Sequence, residues 1–192
     1  MSNNLETYRD FLWAGLFKHG QTGGIIPSQR FLIAKLIAPV PRNYRGQIIE
    51  LGAGNGAVTL RLAARCPQAR ILACEINPAL ARGNRNNLAA AGLDGQVEVI
   101  TNAAENFLSQ IMGSGMAKPT FVISGIPLAN LGIGKSLALL DTIRQVLRER
   151  GMYIQFQHSL LHRKKIRDRF SSLRTVPVFL NFPPAVVYYA QR

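Results

Sequence analysis

The stretch Ile48-Ile49-Glu50-Leu51-Gly52-Ala53-Gly54-Asn55-Gly56 decides the fold of this chain. An apolar run that contains one carboxylate predicts a buried parallel strand, and the three glycines at alternate positions predict a turn whose bare backbone a ligand can approach. Residues 57–66 have the apolar periodicity of a helix, which would place free N–H groups beside that turn. The pattern therefore predicts a cofactor cleft at the end of a strand.

The spacing of the glycines separates two classes of cofactor. A dinucleotide-binding turn has the pattern G-x-G-x-x-G, because a pyrophosphate lies on the helix N-terminus. This chain has E-x-G-x-G-x-G, which resembles motif I of the class I methyltransferases that use S-adenosylmethionine. The resemblance implies that Gly52, Ala53, Gly54 and Gly56 pass under the amino acid part of that cofactor, with Glu50 near its cationic end. An ordinary strand-to-helix turn can also be rich in glycine.

A second strand pattern, residues 71–75, ends in Glu75. Nucleotide-binding α/β folds place a carboxylate about 20 residues after the glycine turn, where it accepts hydrogen bonds from two ribose hydroxyls. Glu75 can also be a solvated acid before a helix that begins at Asn77-Pro78, where the helix dipole favours negative charge. The two roles are compatible, and with the glycine turn they predict S-adenosylmethionine as the cofactor.

Length and composition predict one domain without a membrane span. A chain of 192 residues with 47% hydrophobic content can bury one substantial core. It shows no apolar run long enough to cross a bilayer and no cleavable signal pattern, so we expect a cytoplasmic protein. Cys66 and Cys74 have no Cys/His cluster around them, which favours buried thiols over a metal site or a disulfide; no metal is predicted.

The chain is strongly basic. Its formal net charge is +13, and the cations are densest at residues 163–169. Such a charge attracts polyanions, which are either nucleic acid or the anionic face of a bilayer, and net charge alone does not separate the two. A solvated surface of a basic soluble protein is the remaining interpretation.

The order of strand and helix patterns predicts the fold class. Strands are expected at residues 47–51, 71–75, 97–100, 120–124, 152–157, 175–180 and 185–190. Helices are expected at residues 57–66, 78–91, 104–111, 135–149 and 159–170. This order predicts an α/β protein with a doubly wound, Rossmann-like, seven-stranded and mostly parallel sheet that ends in an antiparallel hairpin. We assign residues 46–192 to this domain.

Residues 1–45 form a separate N-terminal helical segment in this interpretation. From a possible N-cap at Asn3, apolar residues repeat at helical spacing, with basic neighbours between them. The apolar positions are Leu5, Tyr8, Phe11, Leu12 and Leu16, and the basic ones are Arg9, Lys18 and His19. An amphipathic helix of this kind can lie in the headgroup layer of a membrane or cover the cofactor as a lid, and both roles stay open.

The fourth strand ends in Ser124-Gly125-Ile126-Pro127, at the edge where an open α/β sheet places its site. The segment is similar to the N/D/S-P-P-Y motif of amino-methyltransferases, although it lacks the second proline and the aromatic residue. The similarity implies that Ser124 and the carbonyls of Gly125 and Ile126 hold the nitrogen that is methylated. A Gly-Pro turn after a buried strand gives the same local sequence.

Five blocks of the chain look like successive motifs of the bacterial phospholipid N-methyltransferases, which methylate the amine of phosphatidylethanolamine or of ornithine lipids. The blocks are residues 21–28, 50–59, 75–78, 124–128 and 181–185. The resemblance implies a peripheral enzyme at the inner face of the membrane, with an anionic membrane surface and an amine-bearing lipid as partners.

The same resemblance implies further cofactor contacts. The residues concerned are Thr22, Ser28, Ile76, Asn102, Ala103 and Ser124. Relatives usually carry Gly-Asp where this chain has Thr101-Asn102. The contact to the adenine amine must therefore come from the side-chain carbonyl of Asn102.

The methyl transfer itself needs a neutral amine aligned behind an activated methyl group, so positioning supplies most of the acceleration. The sequence contains no obvious Asp-His pair, and we expect Tyr153, His158 or water to take the proton of the ammonium. The faces of Tyr153, Phe156 or Phe182 would suit a quaternary product, although each is equally suited to a core.

Two other functions stay open. An rRNA adenine N6-methyltransferase fits the charge and the fold, but Leu128 stands where such an enzyme would need an aromatic residue to stack on a flipped base. A non-catalytic protein that binds S-adenosylmethionine or a membrane is the other alternative, and the intact acidic and glycine positions argue against it.

Overall fold

Seven strands form one sheet in the order β3-β2-β1-β4-β5-β7-β6 in a computed structural model, which describes residues 29–181 and 184–192. Neighbouring strands from β3 through β5 are parallel, whereas β7 runs antiparallel to both β5 and β6. The strands are β1 (Gln47–Leu51), β2 (Arg70–Glu75), β3 (Val97–Thr101), β4 (Phe121–Ser124), β5 (Met152–Gln157), β6 (Ser172–Val178) and β7 (Ala185–Gln191). This topology confirms the predicted doubly wound sheet with its antiparallel hairpin.

Helices cover both faces of the sheet. They are α1 (Gln29–Ile37), α2 (Ala57–Arg65), α3 (Pro78–Ala90), α4 (Ala104–Gly113), α5 (Gly132–Val146) and α6 (Arg163–Arg167), with a 3₁₀ turn at Leu128–Leu131. The apolar residues of α1, α2 and α3 belong to one core cluster, and those of α4, α5 and α6 belong to the other. The domain therefore has three layers, with the sheet in the middle.

The alternation of side chains along β1 shows why its sequence is a continuous apolar run. Ile48 belongs to the first cluster and Ile49 to the second, and both are fully buried. Since successive side chains of a strand point to opposite faces, a strand covered by helices on both sides has no position for an exposed polar residue. Glu50 is accordingly buried as well, although it carries a carboxylate.

The boundary between the two predicted segments divides residues that pack together. Helix α1 lies within the predicted segment 1–45, yet Leu32, Ile33 and Leu36 are buried in the first core cluster. The Tyr189 hydroxyl of β7 donates a hydrogen bond to the Lys35 carbonyl at 2.7 Å. The amphipathic helix expected near residues 3–19 lies outside the described residues and stays a prediction.

Three elements differ from their predicted bounds by three residues or more at one end. The helix expected at residues 159–170 is only Arg163–Arg167, because residues 158–162 form a loop whose Ser159 carbonyl accepts a hydrogen bond from the Tyr188 hydroxyl at 2.9 Å. The helix expected at 135–149 is Gly132–Val146 and ends where Leu147 becomes extended. Strand β6 is shifted toward the N-terminus of its predicted range, because it pairs with the whole length of β7.

Candidate active site

The turn after β1 has the conformation that only glycine adopts without strain. Gly52, Gly54 and Gly56 have φ angles of 70°, 57° and 94°. A β-carbon on Gly52 would lie 3.1 Å from the Ile126 side chain, and one on Gly56 would lie 2.2 Å from Oδ1 of Asn84. All three glycines are therefore required by backbone conformation, and Gly52 and Gly56 also by close neighbours.

Glu75 links the end of β2 to the glycine turn. Its buried carboxylate accepts a hydrogen bond from the Gly54 N–H at 2.8 Å through Oε2, and one from the Asn77 N–H at 2.8 Å through Oε1. A carboxylate offers about four lone-pair sites, so two remain for a ligand. Helix α3 begins at Pro78, as predicted from Asn77-Pro78, and the Asn77 side chain caps it. Glu75 thus holds the turn in place and keeps acceptor capacity toward the cleft.

A cleft of about 240 Å³ opens at the carboxyl ends of β1 to β4. Five of the predicted site residues line it, namely Gly52, Glu75, Ile76, Asn102 and Ile126; the other lining residues are Cys74, Ala104, Glu105, Pro127, Asn130 and Leu131. The exposed Ile76 side chain supplies an apolar wall, while Glu75 supplies the charge. An apolar slot with one buried carboxylate suits a nucleoside.

Asn102 sits at the far end of this cleft and makes internal hydrogen bonds. Its Oδ1 accepts a hydrogen bond from the Ala103 N–H at 2.8 Å, and its Nδ2 donates one to Oε1 of Gln110 at 3.3 Å. The Cys74 thiol donates to the Asn102 carbonyl at 3.2 Å, and both cysteines of the chain are buried free thiols, as predicted. Asn102 therefore lines the cleft, while the N–H of the neighbouring Ala103 is paired with the Asn102 side chain.

Glu50 lies beneath the glycine turn and is not among the residues that line the cleft. Its buried carboxylate is hydrogen-bonded to the Thr59 hydroxyl, which also accepts a hydrogen bond from Nδ2 of Asn84 at 3.2 Å. Within the described residues, Oε2 of Glu50 and Oδ1 of Asn84 have no hydrogen-bond partner. Burial, and to a smaller extent the charge of Glu75, raises the pKa of Glu50 from 4.5 to about 8 although the Thr59 hydrogen bond opposes the shift.

The loop after β4 packs directly on the glycine turn. The Gly125 N–H donates to the Leu51 carbonyl at 2.8 Å, and a β-carbon on Gly125 would lie 3.1 Å from the Gly52 carbonyl oxygen. The buried Ser124 hydroxyl accepts a hydrogen bond from the Ile126 N–H at 3.2 Å, so it closes the loop on itself. Ser124 therefore shapes the loop from inside the core, whereas its predicted contact with a ligand stays a prediction.

The Ile126 carbonyl, which we expected to hold an amine, is already occupied by side chains of β5. It accepts hydrogen bonds from Nε2 of Gln155 at 3.0 Å and from Nε2 of Gln157 at 3.2 Å. A carbonyl oxygen has two lone pairs, so this one has no further capacity. Among the described residues no hydrogen bond ends on the Gly125 carbonyl, which leaves it as the acceptor available to an amine at this loop.

The structure contradicts the predicted role of Tyr153 as a proton acceptor. Its side chain is completely buried in the second core cluster and stacks on Phe170 with 5.6 Å between ring centroids. The hydroxyl donates a hydrogen bond to Oε1 of Gln155. Burial raises the pKa of Tyr153 well above its ordinary value, so its phenolate is not available near neutral pH. Tyr153 is a core residue that orients Gln155.

His158 directly follows β5 and has one ring nitrogen unpaired within the described residues. Its Nδ1 is 3.0 Å from the Pro184 carbonyl oxygen, and because a carbonyl only accepts, Nδ1 carries the proton and Nε2 carries the lone pair. Nε2 is buried and has no hydrogen-bond partner within residues 29–181 and 184–192. The Phe156 ring contacts the His158 ring edge-on at 6.0 Å and lies 3.5 Å from the β-carbon position of Gly125. The Phe156 ring therefore contacts both the imidazole and the loop that carries the unoccupied Gly125 carbonyl.

Sequence reasoning missed the two glutamines of β5. Gln155 and Gln157 are buried amides in the otherwise apolar sequence Met152–Gln157, and together they fix the Ile126 carbonyl. Two buried amides in a central strand are the signal that could have found them, since a buried polar group needs a partner. Three predicted residues, Thr22, Ser28 and Phe182, lie outside the described residues and stay predictions.

Two classes of feature are absent from the part of the chain that the structure describes. It contains no group of three or more His, Cys, Asp or Glu residues that could hold a metal ion. It also contains no helix that is both long enough and apolar enough to cross a bilayer.

Comparison with known families gives a match over the region that forms the cleft. The family described as "Methyltransferase domain" matches residues 48–151, which is more than half of the chain. The match begins in β1 and ends just before β5, so it includes the glycine turn, Glu75 and the loop after β4.

Two known proteins are similar to this chain, one over almost its whole length and one over less than half of it. An ornithine lipid N-methyltransferase from Singulisphaera acidiphila is 26% identical over 185 residues, which cover 94% of this chain and 95% of that protein. A ribosomal RNA small subunit methyltransferase C from Salmonella choleraesuis is 30% identical over 78 residues, which cover 41% of this chain and only 21% of that protein.

A solved structure extends the likeness of the fold. The O-methyltransferase TomG from Streptomyces achromogenes, in complex with S-adenosylmethionine, superposes with a TM-score of 0.69 at 15% identity and covers 88% of this chain and 81% of that one. At this identity the likeness concerns the fold.

Proposed function

Because this chain belongs to the class I methyltransferases that use S-adenosylmethionine, we propose that it transfers methyl groups to the amine nitrogen of a membrane lipid headgroup, as in phosphatidylethanolamine or an ornithine lipid. The observation that carries the proposal is the unpaired Nε2 of His158, whose ring contacts Phe156, the same side chain that packs against Gly125 with its unoccupied carbonyl. Similarity over almost the whole chain to an ornithine lipid N-methyltransferase supports the same substrate class.

The cleft fits the cofactor. The turn at residues 52–56 has no side chains that would exclude the amino acid part, and Glu75 keeps acceptor sites for the two ribose hydroxyls. Ile76 would pack on the adenine, and the side-chain carbonyl of Asn102 would accept a hydrogen bond from the adenine amine. The Ala103 N–H donates to Oδ1 of Asn102 in the unliganded protein and would donate to a ring nitrogen of the adenine instead when the cofactor binds. Thr22, Ser28 and Ser124 remain proposed contacts.

When bound, S-adenosylmethionine supplies a methyl group that is activated by its sulfonium. The residues of this chain have to deliver a neutral amine to it in line. In the proposed arrangement the Gly125 carbonyl accepts one N–H of the headgroup amine and fixes its direction, and Nε2 of His158 accepts the proton that the ammonium must lose.

The surroundings of His158 suit this role. Its Nδ1–H is fixed on the Pro184 carbonyl, so the lone pair of Nε2 has a defined direction before the substrate arrives. The imidazolium that forms is stabilised by the same hydrogen bond, because its charge strengthens the donor. Phe156 offers an aromatic face next to Gly125 that suits a methylated ammonium, although it is also part of the core.

The rRNA alternative rests on the partial similarity to a ribosomal RNA methyltransferase and on the net charge of +13. The loop after β4 argues against it. Leu128 is buried in the second core cluster, so no aromatic ring is presented at this position for a flipped base.

One assay separates the possible functions. Purified protein is incubated with S-adenosylmethionine that carries a labelled methyl group, and with phosphatidylethanolamine vesicles, ornithine lipid vesicles or ribosomal RNA. We expect label in the lipid, and we expect much less with vesicles of phosphatidylcholine, whose nitrogen is already quaternary. Label in RNA alone would support the alternative acceptor, and cofactor binding without any label in either would indicate a non-catalytic protein.

A further inference from the structure

The exposed apolar side chains of this protein are concentrated on one edge of the sheet. Within the described residues, six of the nine exposed large hydrophobic residues follow the carboxyl ends of strands. They are Ile76, Ile133, Leu160, Leu161, Phe179 and Leu180. Ile76 belongs to the cofactor cleft, but Leu160, Leu161, Phe179 and Leu180 have no partner in the site described above. Their exposed fractions of 56, 79, 79 and 66% are too high for residues of a core.

These four residues form two neighbouring loop tips. Leu160 and Leu161 follow β5, whereas Phe179 and Leu180 follow β6. The two loops leave the same end of the sheet because β7 pairs with both strands: Gln157 of β5 is opposite Val186, and Val178 of β6 is opposite Ala185. Both tips therefore extend from the same end of the two strands that flank β7.

Hydrogen bonds fix the bases of both loops. The Tyr188 hydroxyl donates to the Ser159 carbonyl at 2.9 Å, and His158 donates to the Pro184 carbonyl at 3.0 Å. The Arg163 N–H donates to the Leu160 carbonyl at 3.0 Å, which turns the chain into α6 directly after the tip. The apolar tips thus stand on a defined base at the end of the sheet.

A cluster of cations adjoins the apolar tips. Helix α6 carries Arg163, Lys164, Lys165 and Arg167 within five residues, and its only buried residue is Ile166. In the described part of the chain, Arg163 and Lys164 are exposed and make no ion pair. Apolar side chains next to unpaired cations match the two layers of an anionic membrane surface, in which acyl chains lie beneath phosphates.

We infer that the two loop tips dock the protein on an anionic bilayer. The apolar side chains of Leu160, Leu161, Phe179 and Leu180 insert below the headgroups, and the cations of Arg163 and Lys164 bind the lipid phosphates. The inference rests on the proposed lipid substrate. His158 directly precedes the first tip, and its Nδ1 donates a hydrogen bond to the Pro184 carbonyl beside the second. Docking in this orientation therefore brings a headgroup amine to Nε2 of His158 while the acyl chains stay in the membrane.

The first test measures binding to vesicles by flotation of the full chain with phosphatidylcholine vesicles, with and without phosphatidylglycerol. Neither lipid offers a methylatable primary amine, so binding is measured apart from turnover. We expect binding that depends on phosphatidylglycerol, and we expect Leu161→Ser with Phe179→Ser to lower the partition coefficient by about tenfold or more. The matched control is Met112→Ser with Met116→Ser, which changes two exposed apolar residues outside this edge and should bind like the wild type.

Charge variants test the second half of the inference. Arg163→Gln with Lys164→Gln should lower binding to anionic vesicles by about fivefold for each charge and leave weak binding to neutral vesicles unchanged. Arg144→Gln with Arg148→Gln makes the same change of charge at exposed positions elsewhere and should have a much smaller effect. Unfolding temperatures of all variants should match the wild type, because every substituted side chain is exposed.

An activity measurement separates failure of the docking surface from failure of the proposed function. With short-chain phosphatidylethanolamine dispersed as monomers, the tip variants should turn over as fast as the wild type, and with vesicles they should be slower. Equal rates of variants and wild type on vesicles, or equal flotation, would overturn the docking surface while lipid methylation stands. Loss of a dimer in the tip variants during sedimentation would also overturn it, because the surface would then be an interface between two copies. Absence of methyl transfer to either form of lipid would overturn the proposed function instead.

Discussion

The buried carboxylate of Glu50 should make the stability of the unliganded protein fall as the pH rises. The substitution Glu50→Gln tests this, because it removes the charge and keeps the shape. The folded-state pKa of about 8 lies above the value of 4.5 for an unperturbed glutamate. Between these two pH values the folded protein therefore holds a proton on Glu50 that the unfolded chain has released. Stability from this group is fully present below about pH 4.5 and is lost as the pH rises through about 8.

The magnitude follows from the pKa difference. Each pKa unit is worth about 1.4 kcal/mol, so Glu50 should cost the native state about 3 kcal/mol at neutral pH relative to acid solution, and a change from about pH 5 to about pH 9 should cost about 4 kcal/mol. In Glu50→Gln the side chain keeps an oxygen that can accept from the Thr59 hydroxyl, but the amide does not titrate. The variant should therefore lack this pH dependence.

The assay is urea unfolding of the wild type and of Glu50→Gln without cofactor, at several pH values between about 5 and 9. The difference in free energy of unfolding between the two proteins should shift by about 4 kcal/mol in favour of the variant across this range. Glu98→Gln is the matched control, because Glu98 is an exposed carboxylate in a surface ion pair with Arg70 and should change stability by about 1 kcal/mol or less. Parallel curves for the wild type and Glu50→Gln would refute the reasoning.

Four further substitutions test the site. Glu75→Ala should weaken cofactor binding by about 3 kcal/mol in calorimetry, because the ribose hydroxyls lose a charged acceptor. His158→Asn can still donate to the Pro184 carbonyl but has no base, so turnover should fall about a hundredfold and its pH dependence should change, with cofactor affinity intact. Tyr153→Phe should keep its rate within about tenfold and lose about 1 kcal/mol of stability, since Gln155 loses a hydrogen bond. Gly56→Ala should lose about 2 kcal/mol or more, whereas Gly113→Ala, where a β-carbon meets nothing within 4 Å, should be nearly neutral in thermal unfolding.

The cofactor side of the site was predictable from sequence because its chemistry is local to strand ends. The bounds of β1 and β5 agree with the prediction, and Gly52, Glu75, Ile76 and Asn102 do line one cleft. Parallel strands bring their carboxyl ends to one edge, so residues after different strands meet without any knowledge of the packing.

The part of the site that would hold the methyl acceptor was less predictable, because it depends on which face of β5 each residue occupies. A central strand covered by helices on both sides is buried at nearly every position, so its sequence pattern does not assign residues to faces. Tyr153 therefore looked as available as His158, although the structure buries it against Phe170. Likewise, the occupation of the Ile126 carbonyl by Gln155 and Gln157 depends on side-chain reach across two strands, which spacing does not encode.

The antiparallel strand β7 explains why the acceptor side lies where it does. Each parallel strand leaves the carboxyl edge through a connection to a helix, but β7 begins at that edge, where Ala185 lies opposite Val178 of β6. The neighbouring Pro184 carbonyl orients His158, and Phe179 is exposed directly after β6. The turn at Gly52 is built on β1 and β2 and does not depend on the hairpin. Substitutions in the hairpin should therefore change the choice of acceptor and the membrane dependence while cofactor affinity is retained, which a comparison of cofactor Kd with lipid KM measures directly.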